Sequence, residues 1–226
     1  MIPWTLLGTA TIPNNGGELK LTQRDQEFSI HLKGARGELM NSRMRCSERA
    51  LADLGCAHIK GEANTRVVVG GLGMGFTLEA ALNITGEGAE VVVAELVPEV
   101  IEWNNGALGD CAGRPLDDER TRVHLGDVAE LCKVNKAQYH AVLLDVDNGP
   151  EGFTHADNGN LYSLSSLCAI QKTLHRGGVL AIWSAWNDPA FSAQLKKAGY
   201  QVRTETVRAH QGKGSRHTIY LATKRR

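Results

Sequence analysis

Four places in the chain gather residues that can bind a ligand or do chemistry, and each follows a predicted strand. The first is Gly70-Gly71-Leu72-Gly73-Met74-Gly75, directly after Val67-Val68-Val69. Missing side chains let the backbone turn sharply and approach a ligand, with N–H groups at a helix start aimed at it. The second is Glu95, which closes the run Val91-Val92-Val93-Ala94 and can accept hydrogen bonds from both hydroxyls of a ribose. The third is Gly126-Asp127, where a carboxylate can accept from an adenine amino group or cap the next helix. The fourth is Asp145-Val146-Asp147-Asn148-Gly149-Pro150, a cluster suited to taking a proton and orienting an acceptor; a plain turn also accounts for Asp147-Asn148-Gly149.

The glycine spacing narrows the ligand. A G-x-G-x-x-G dinucleotide fingerprint begun at Gly71 needs glycine where Phe76 stands, which argues against a nicotinamide dehydrogenase. The G-x-G-x-G spacing fits a loop around the amino-acid tail of S-adenosylmethionine, with Gly70, Gly71, Gly73 and Gly75 as cofactor-binding positions beside Glu95 and Asp127.

The elements that must position these residues alternate along the chain. Strands are predicted at Arg66–Gly70, Glu90–Glu95, Thr121–Leu125, His140–Asp145, Gly178–Ser184, Tyr200–Thr206 and Arg216–Ala222. Helices are predicted at 42–56, Phe76–Asn83, Pro98–Asn105, Leu161–His175 and Pro189–Ala198, with a short one after Asp127. Apolar strands separated by helices imply a doubly wound, mostly parallel sheet covered on both faces. No helix separates the last two strands, so the final strand is expected to be antiparallel. Residues 1–42 differ, with turn signals bracketing Glu18–Thr22 and Glu27–Leu32, and read as a small β-hairpin region ahead of an α/β domain at 43–226.

At 226 residues, 42% of them hydrophobic, the chain is long enough for one large domain and a small appendage. Its 25 basic and 25 acidic residues leave no net field to draw it onto nucleic acid or an anionic membrane. The cluster Arg203, Arg208, His210, Lys213, Arg216, His217, Lys224, Arg225 and Arg226 is read first as a solvated hairpin and second as a surface that tracks phosphates. No secretory signal or membrane-spanning run is recognisable, which implies a cytoplasmic protein. Five scattered cysteines and dispersed histidines predict neither a disulfide framework nor a metal site.

With these motifs in place, the chain resembles the spermidine synthase-like branch of the class I S-adenosylmethionine-dependent methyltransferase superfamily. Gly70–Gly75, Glu95, Gly126-Asp127 and Asp145 match its glycine motif and strand-end residues; Leu161-Tyr162 resembles its aromatic segment and Arg176–Leu180 its turn into strand five. The resemblance implies a seven-stranded class I methyltransferase-like Rossmann fold with a small N-terminal β region, an adenosyl donor and a homodimer. It departs from true aminopropyltransferases at Leu72-Gly73-Met74, which lacks their loop carboxylate, and at Asp145/Asp147, spaced two rather than three apart. Glu38-Leu39-Met40-Asn41-Ser42 stands where those enzymes place a polyamine-binding segment, and only Glu38 offers it a charge.

The expected function is therefore S-adenosylmethionine-dependent methyl transfer to a small-molecule nucleophile such as an amine. Asp145 and Asp147 are the catalytic candidates, and Asn148, Tyr162 and Glu38 the acceptor-binding ones. Trp183 and Trp186 are further candidates to shape the acceptor pocket. The alternative is aminopropyl transfer from decarboxylated S-adenosylmethionine to a diamine, with Glu38, Glu62, Asp145, Asp147, Glu151 and Asp157 available for an acidic pocket. A non-catalytic nucleoside- or nucleic-acid-binding protein is the third reading.

Overall fold

The structure, a computed structural model, describes residues 2–14, 16–34, 37–133, 136–146, 161–210 and 213–225. The first sheet contains β1 (Thr5–Ile12), β2 (Gly17–Arg24), β3 (Glu27–Leu32) and β4 (Met40–Asn41), each antiparallel to the next. The predicted stretches are β2 and β3. β1 carries no clean alternation because Leu6 and Leu7 are both exposed, and a bulge between Leu6 and Gly8 breaks its register.

After β4 come α1 (Cys46–Gly55), β5 (Arg66–Gly70), α2 (Phe76–Ile84), β6 (Glu90–Glu95), α3 (Pro98–Asn105), β7 (Thr121–Leu125) and α4 (Val128–Leu131). The chain continues with β8 (Tyr139–Leu144), α5 (Leu164–Thr173), β9 (Leu174–Ser184), α6 (Pro189–Lys197), β10 (Tyr200–His210) and β11 (Lys213–Lys224). The larger sheet has the order β10-β11-β9-β8-β5-β6-β7, parallel throughout except that β11 is antiparallel to both neighbours. This is the doubly wound class I methyltransferase-like arrangement. Its strands fall where the apolar runs predict them, and β5, β6 and β7 match residue for residue.

The central strands are apolar without a break because both faces are covered. Val67, Val69, Val91, Val93, Leu143 and Ala181 enter one core with Leu51 of α1 and Leu78 of α2. Val68, Ala94, Val142, Leu144, Leu180 and Ile182 enter the other, with Leu167 of α5 and Leu195 of α6. Period-two alternation along each strand divides its side chains between the two layers. Helix starts follow local chemistry: Pro98 and Pro189 occupy first turns, while the Asp127, Ser163 and Asp188 side chains accept from Ala129, Ser166 and Ala190 N–H groups.

Several boundaries differ from expectation, and α5 ends at Thr173 where the helix is expected to run to His175. β9 begins at Leu174, not Gly178, because Leu174 pairs with Tyr139 before the chain bulges and resumes pairing at Ala141 and Val179. β10 runs to His210 and β11 starts at Lys213, so this ribbon extends beyond the Thr218–Ser184 pairing that ends its contact with β9. The overhang brings Ala209, Ser215 and His217 to the site described below.

Two close approaches dock the covering layers. A Cβ on Gly8 would lie 2.8 Å from Trp103 Nε1, so β1 meets α3 through a glycine, and Trp103 serves as packing between the sheets. A Cβ on Gly55 would lie 2.4 Å from Leu143 Cδ2 and 2.9 Å from Ala181 Cβ, which lets α1 lie directly on β8 and β9. No helix is long and apolar enough to cross a membrane among the described residues. Overpacking at the α1 contact is expected to cost about 1–3 kcal/mol. Gly55→Ala should lower the urea unfolding midpoint accordingly, with little change in the slope of the transition.

Candidate functional site

Parallel strands that finish together present their following loops along one edge, and hydrogen bonds just beyond the strands hold those loops in line. Gly71 N–H donates to Ala94 O at 2.9 Å, Gly126 N–H to Glu95 O at 2.8 Å, and Asp145 N–H to Gly70 O at 2.8 Å. Gly71 has φ +89°, and a Cβ there would sit 2.4 Å from the Asp145 carbonyl oxygen. The glycine loop therefore lies directly against the β8 exit. From α3, the buried Asn104 donates to Gly73 O at 2.8 Å and fixes the far side of the loop.

Glu95 is held at the centre of this edge. Its Oε2 accepts from Leu72 N–H at 3.0 Å and its Oε1 from Val97 N–H at 3.0 Å. This holds the carboxylate at the head of the glycine loop, where Glu95 borders a cleft. Asp127 caps α4 through Ala129 N–H at 2.8 Å and also borders the same cleft, so its two expected roles are compatible.

That cleft has a volume of about 560 Å³, within the range of small-molecule sites. Gly71, Gly73, Glu95, Asp127 and Asp145 line one side of it. Ile12, Leu19, Ile30 and Met40 of the N-terminal sheet contribute the other. Gly70 and Gly75 stand behind the loop: a Cβ on Gly70 would press on Leu144 and Val128 at 3.0–3.2 Å, and one on Gly75 on Pro115 at 3.1 Å. Four of the six predicted cofactor positions thus face the cleft, and the other two let the loop fold close to its neighbours.

A second, smaller cavity of about 170 Å³ adjoins the first. Its apolar lining includes Met40, Met44, Met74, Phe76 and Trp183, its polar lining Asn41, Ser47, Ser215 and His217, and Glu48 and Asp145 add two carboxylates. Asp145 Oδ2 accepts from the buried Thr77 hydroxyl at 2.5 Å, and that hydroxyl also lies 3.3 Å from Glu48 O. Glu48 Oε2 accepts from Ser47 Oγ at 2.8 Å. Burial raises the Glu48 carboxyl above its ordinary value near 4.5, outweighing its hydrogen bonds to its own backbone and to Ser47. His217 stacks on Trp183 with ring centroids 4.7 Å apart, and burial lowers its pKa from the ordinary 6.5.

The remaining candidates fall elsewhere. Tyr162 is buried in the second core with its ring edge-on to Phe191 at 5.6 Å, and it borders neither cavity. Glu38 is exposed and accepts from Arg43 at 3.0 and 3.2 Å and from Asn41 at 2.9 Å, so a nearby guanidinium already answers its charge. Glu62 precedes β5, at the opposite end of that strand from the glycine loop. Trp183 lines the smaller cavity as expected, whereas Trp186 is 59% exposed and lines neither. Asp147, Asn148, Glu151 and Asp157 lie outside the described residues. In the basic ribbon, Arg208 lies opposite Arg216.

Sequence reasoning missed Glu48, Thr77, Asn104 and the methionines. Ser47-Glu48 lie inside the helix expected over 42–56 and Thr77 inside the one expected over Phe76–Asn83, and no spacing links either to Asp145. Only the contact between α1 and α2 reveals that both side chains reach the β8 exit.

The fold and this edge place the chain in the class I methyltransferase-like architecture, in the form that carries an N-terminal β sheet. No protein-family profile matches the chain, and no curated protein sequence does. Among solved structures, it is similar to a spermidine synthase from Thermotoga maritima, with a TM-score of 0.75 and 15% identity. It is also similar to a spermidine synthase in complex with the transition-state analogue AdoDATO, with a TM-score of 0.73 and 15% identity. Each alignment covers 97% of this chain and 72% of the other.

The raised Glu48 pKa has a sign that can be checked. A carboxyl whose folded-state pKa exceeds its unfolded one stabilises the fold below the unfolded value, and that contribution is lost as pH rises through the folded value. Between pH 4 and 7, wild type should therefore lose stability relative to Glu48→Gln, measured as the difference in urea midpoints. Gly71→Ala should destabilise by more than about 1 kcal/mol, since it forces a side chain into a left-handed position against a carbonyl. Its midpoint, measured alongside, checks that contact.

Proposed function

We propose that this chain transfers an alkyl group from an adenosyl sulfonium in the larger cleft to an amine in the smaller cavity. One observation carries the reading: among the described residues, Asp145 is the titratable side chain that borders both spaces. A sulfonium is already an activated electrophile, so the protein's task is to align an acceptor behind the carbon that moves and to exclude water. Gly71, Gly73, Glu95 and Asp127 offer the backbone cradle, the ribose acceptor and the adenine acceptor that such a donor needs. Two carboxylates and the Trp183 ring in a small cavity with several apolar walls suit a cationic nitrogen.

The aminopropyl form, with decarboxylated S-adenosylmethionine as donor and a polyamine-type acceptor, draws support from similarity to spermidine synthases, one of them bound to AdoDATO. A specific observation favours methyl transfer from S-adenosylmethionine itself as the second reading. Leu72-Gly73-Met74 places no carboxylate on the glycine loop, where a donor reduced to a free aminopropyl group would present its ammonium.

Calorimetry with S-adenosylmethionine and its decarboxylated form separates the two. One of them should bind at micromolar concentration, and binding of neither would sink the transferase reading. Asp145→Asn should leave donor affinity within about threefold. It should lower kcat/KM for the amine roughly 10- to 100-fold, the effect of a lost charge-assisted hydrogen bond of about 1.5–3 kcal/mol.

A further inference from the structure

The two carboxylates of the smaller cavity sit in opposite environments. Asp145 accepts from the Thr77 hydroxyl at 2.5 Å and lies at the junction with the larger cleft. Glu48 enters from the first turn of α1 among Met44, Met74, Phe76 and Trp183, with Ser47 Oγ on one oxygen and, among the described residues, no ion-pair partner. Its neighbour Arg49 is turned to Glu79 of α2 at 3.1 Å.

We propose that Glu48 takes the proton of the acceptor amine, while Asp145 holds the positive charge at the reacting nitrogen. This deepens the alkyl-transfer reading and rests on it. The acceptor enters as an ammonium, and its N–H proton passes to the Glu48 carboxylate, leaving a lone pair on nitrogen. That lone pair attacks the carbon attached to the sulfonium. A C–N bond forms as the C–S bond breaks, and the bonding pair goes to sulfur, which leaves as a neutral thioether. The new positive charge rests on nitrogen beside Asp145, and Glu48 returns its proton to solvent.

The division of labour follows from environment. A useful base has a pKa near the working pH, and a desolvated carboxyl is shifted in that direction while a hydrogen-bonded one is not. Groups facing Glu48 from the packed elements are Asp145 at the β8 exit, His217 from β11 and the Arg49–Glu79 ion pair between α1 and α2. His217, lowered by burial against Trp183, adds no positive charge that would pull Glu48 back down at neutral pH.

The test uses the full chain with S-adenosylmethionine and decarboxylated S-adenosylmethionine as donors, and 1,4-diaminobutane and butylamine as acceptors. The kcat/KM profile should show an acid limb above the ordinary carboxylate range. Glu48→Gln should remove that limb and lower kcat roughly 10²–10⁴-fold with KM changed less than threefold. Glu48→Asp should restore part of the rate, and Asp145→Asn should raise KM yet keep the limb. A limb lost in Asp145→Asn and kept in Glu48→Gln overturns the assignment, as does a Glu48→Gln effect confined to KM. If neither donor supports turnover, the alkyl-transfer reading falls separately. Glu48 is then read by carboxyl-carbon NMR in the presence of 5′-methylthioadenosine, where titration at an ordinary carboxylate pKa overturns the proposal.

Discussion

The contact between Gly71 and the Asp145 carbonyl is the constraint on which the rest of the site depends. Parallel pairing of β5 with β8 carries both chains to the same edge, and hydrogen bonds from Gly71, Gly126 and Asp145 continue the ladder beyond the strand ends. Any side chain at Gly71 would collide with the β8 exit, so the glycine loop turns immediately and stays against it. Glu95 then reaches the loop at Leu72, and its second oxygen ties the start of α3 at Val97. One backbone approach thereby sets the turn of the glycine loop and the carboxylate next to it.

The smaller cavity has a different origin. It forms where α1, pressed onto β8 and β9 at Gly55, meets the loop after β4 and the overhanging ribbon of β10 and β11. Asn41, buried, accepts from the Arg43 and Met44 N–H groups and donates to Glu38, which holds the turn that delivers Met40 and Met44. Three of the four methionines in the chain line this one space. Thioether side chains adapt their shape readily, so this part of the wall can fit apolar bodies of different shape.

Much of the architecture was legible because it rests on local physics. The valine runs at 67–69 and 91–93, the glycines after them, and the proline and Asp caps each specify their element with little outside help. β1 was not legible, since Leu6 and Leu7 are both exposed at a bulge and leave no clean alternation. Nor was the early start of β9, which depends on Leu174 finding Tyr139 across a β-bulge. Glu38 read well as a charge for an amine until folding brought Arg43 beside it, and Tyr162 read as a pocket wall until Phe191 claimed its ring.

By itself the sequence determined the strand-end wall of the larger cleft, because strand ends, glycine spacing and the Glu95 and Asp127 positions are features of one contiguous α/β pattern with a period that can be counted. Only the tertiary structure decided the smaller cavity. Glu48, Asp145, Trp183 and His217 come from α1, the β8 exit, β9 and β11, and no spacing along the chain relates them. Their meeting depends on how closely α1 lies on the sheet and how far the last ribbon projects, and both are settled by packing between elements distant in sequence.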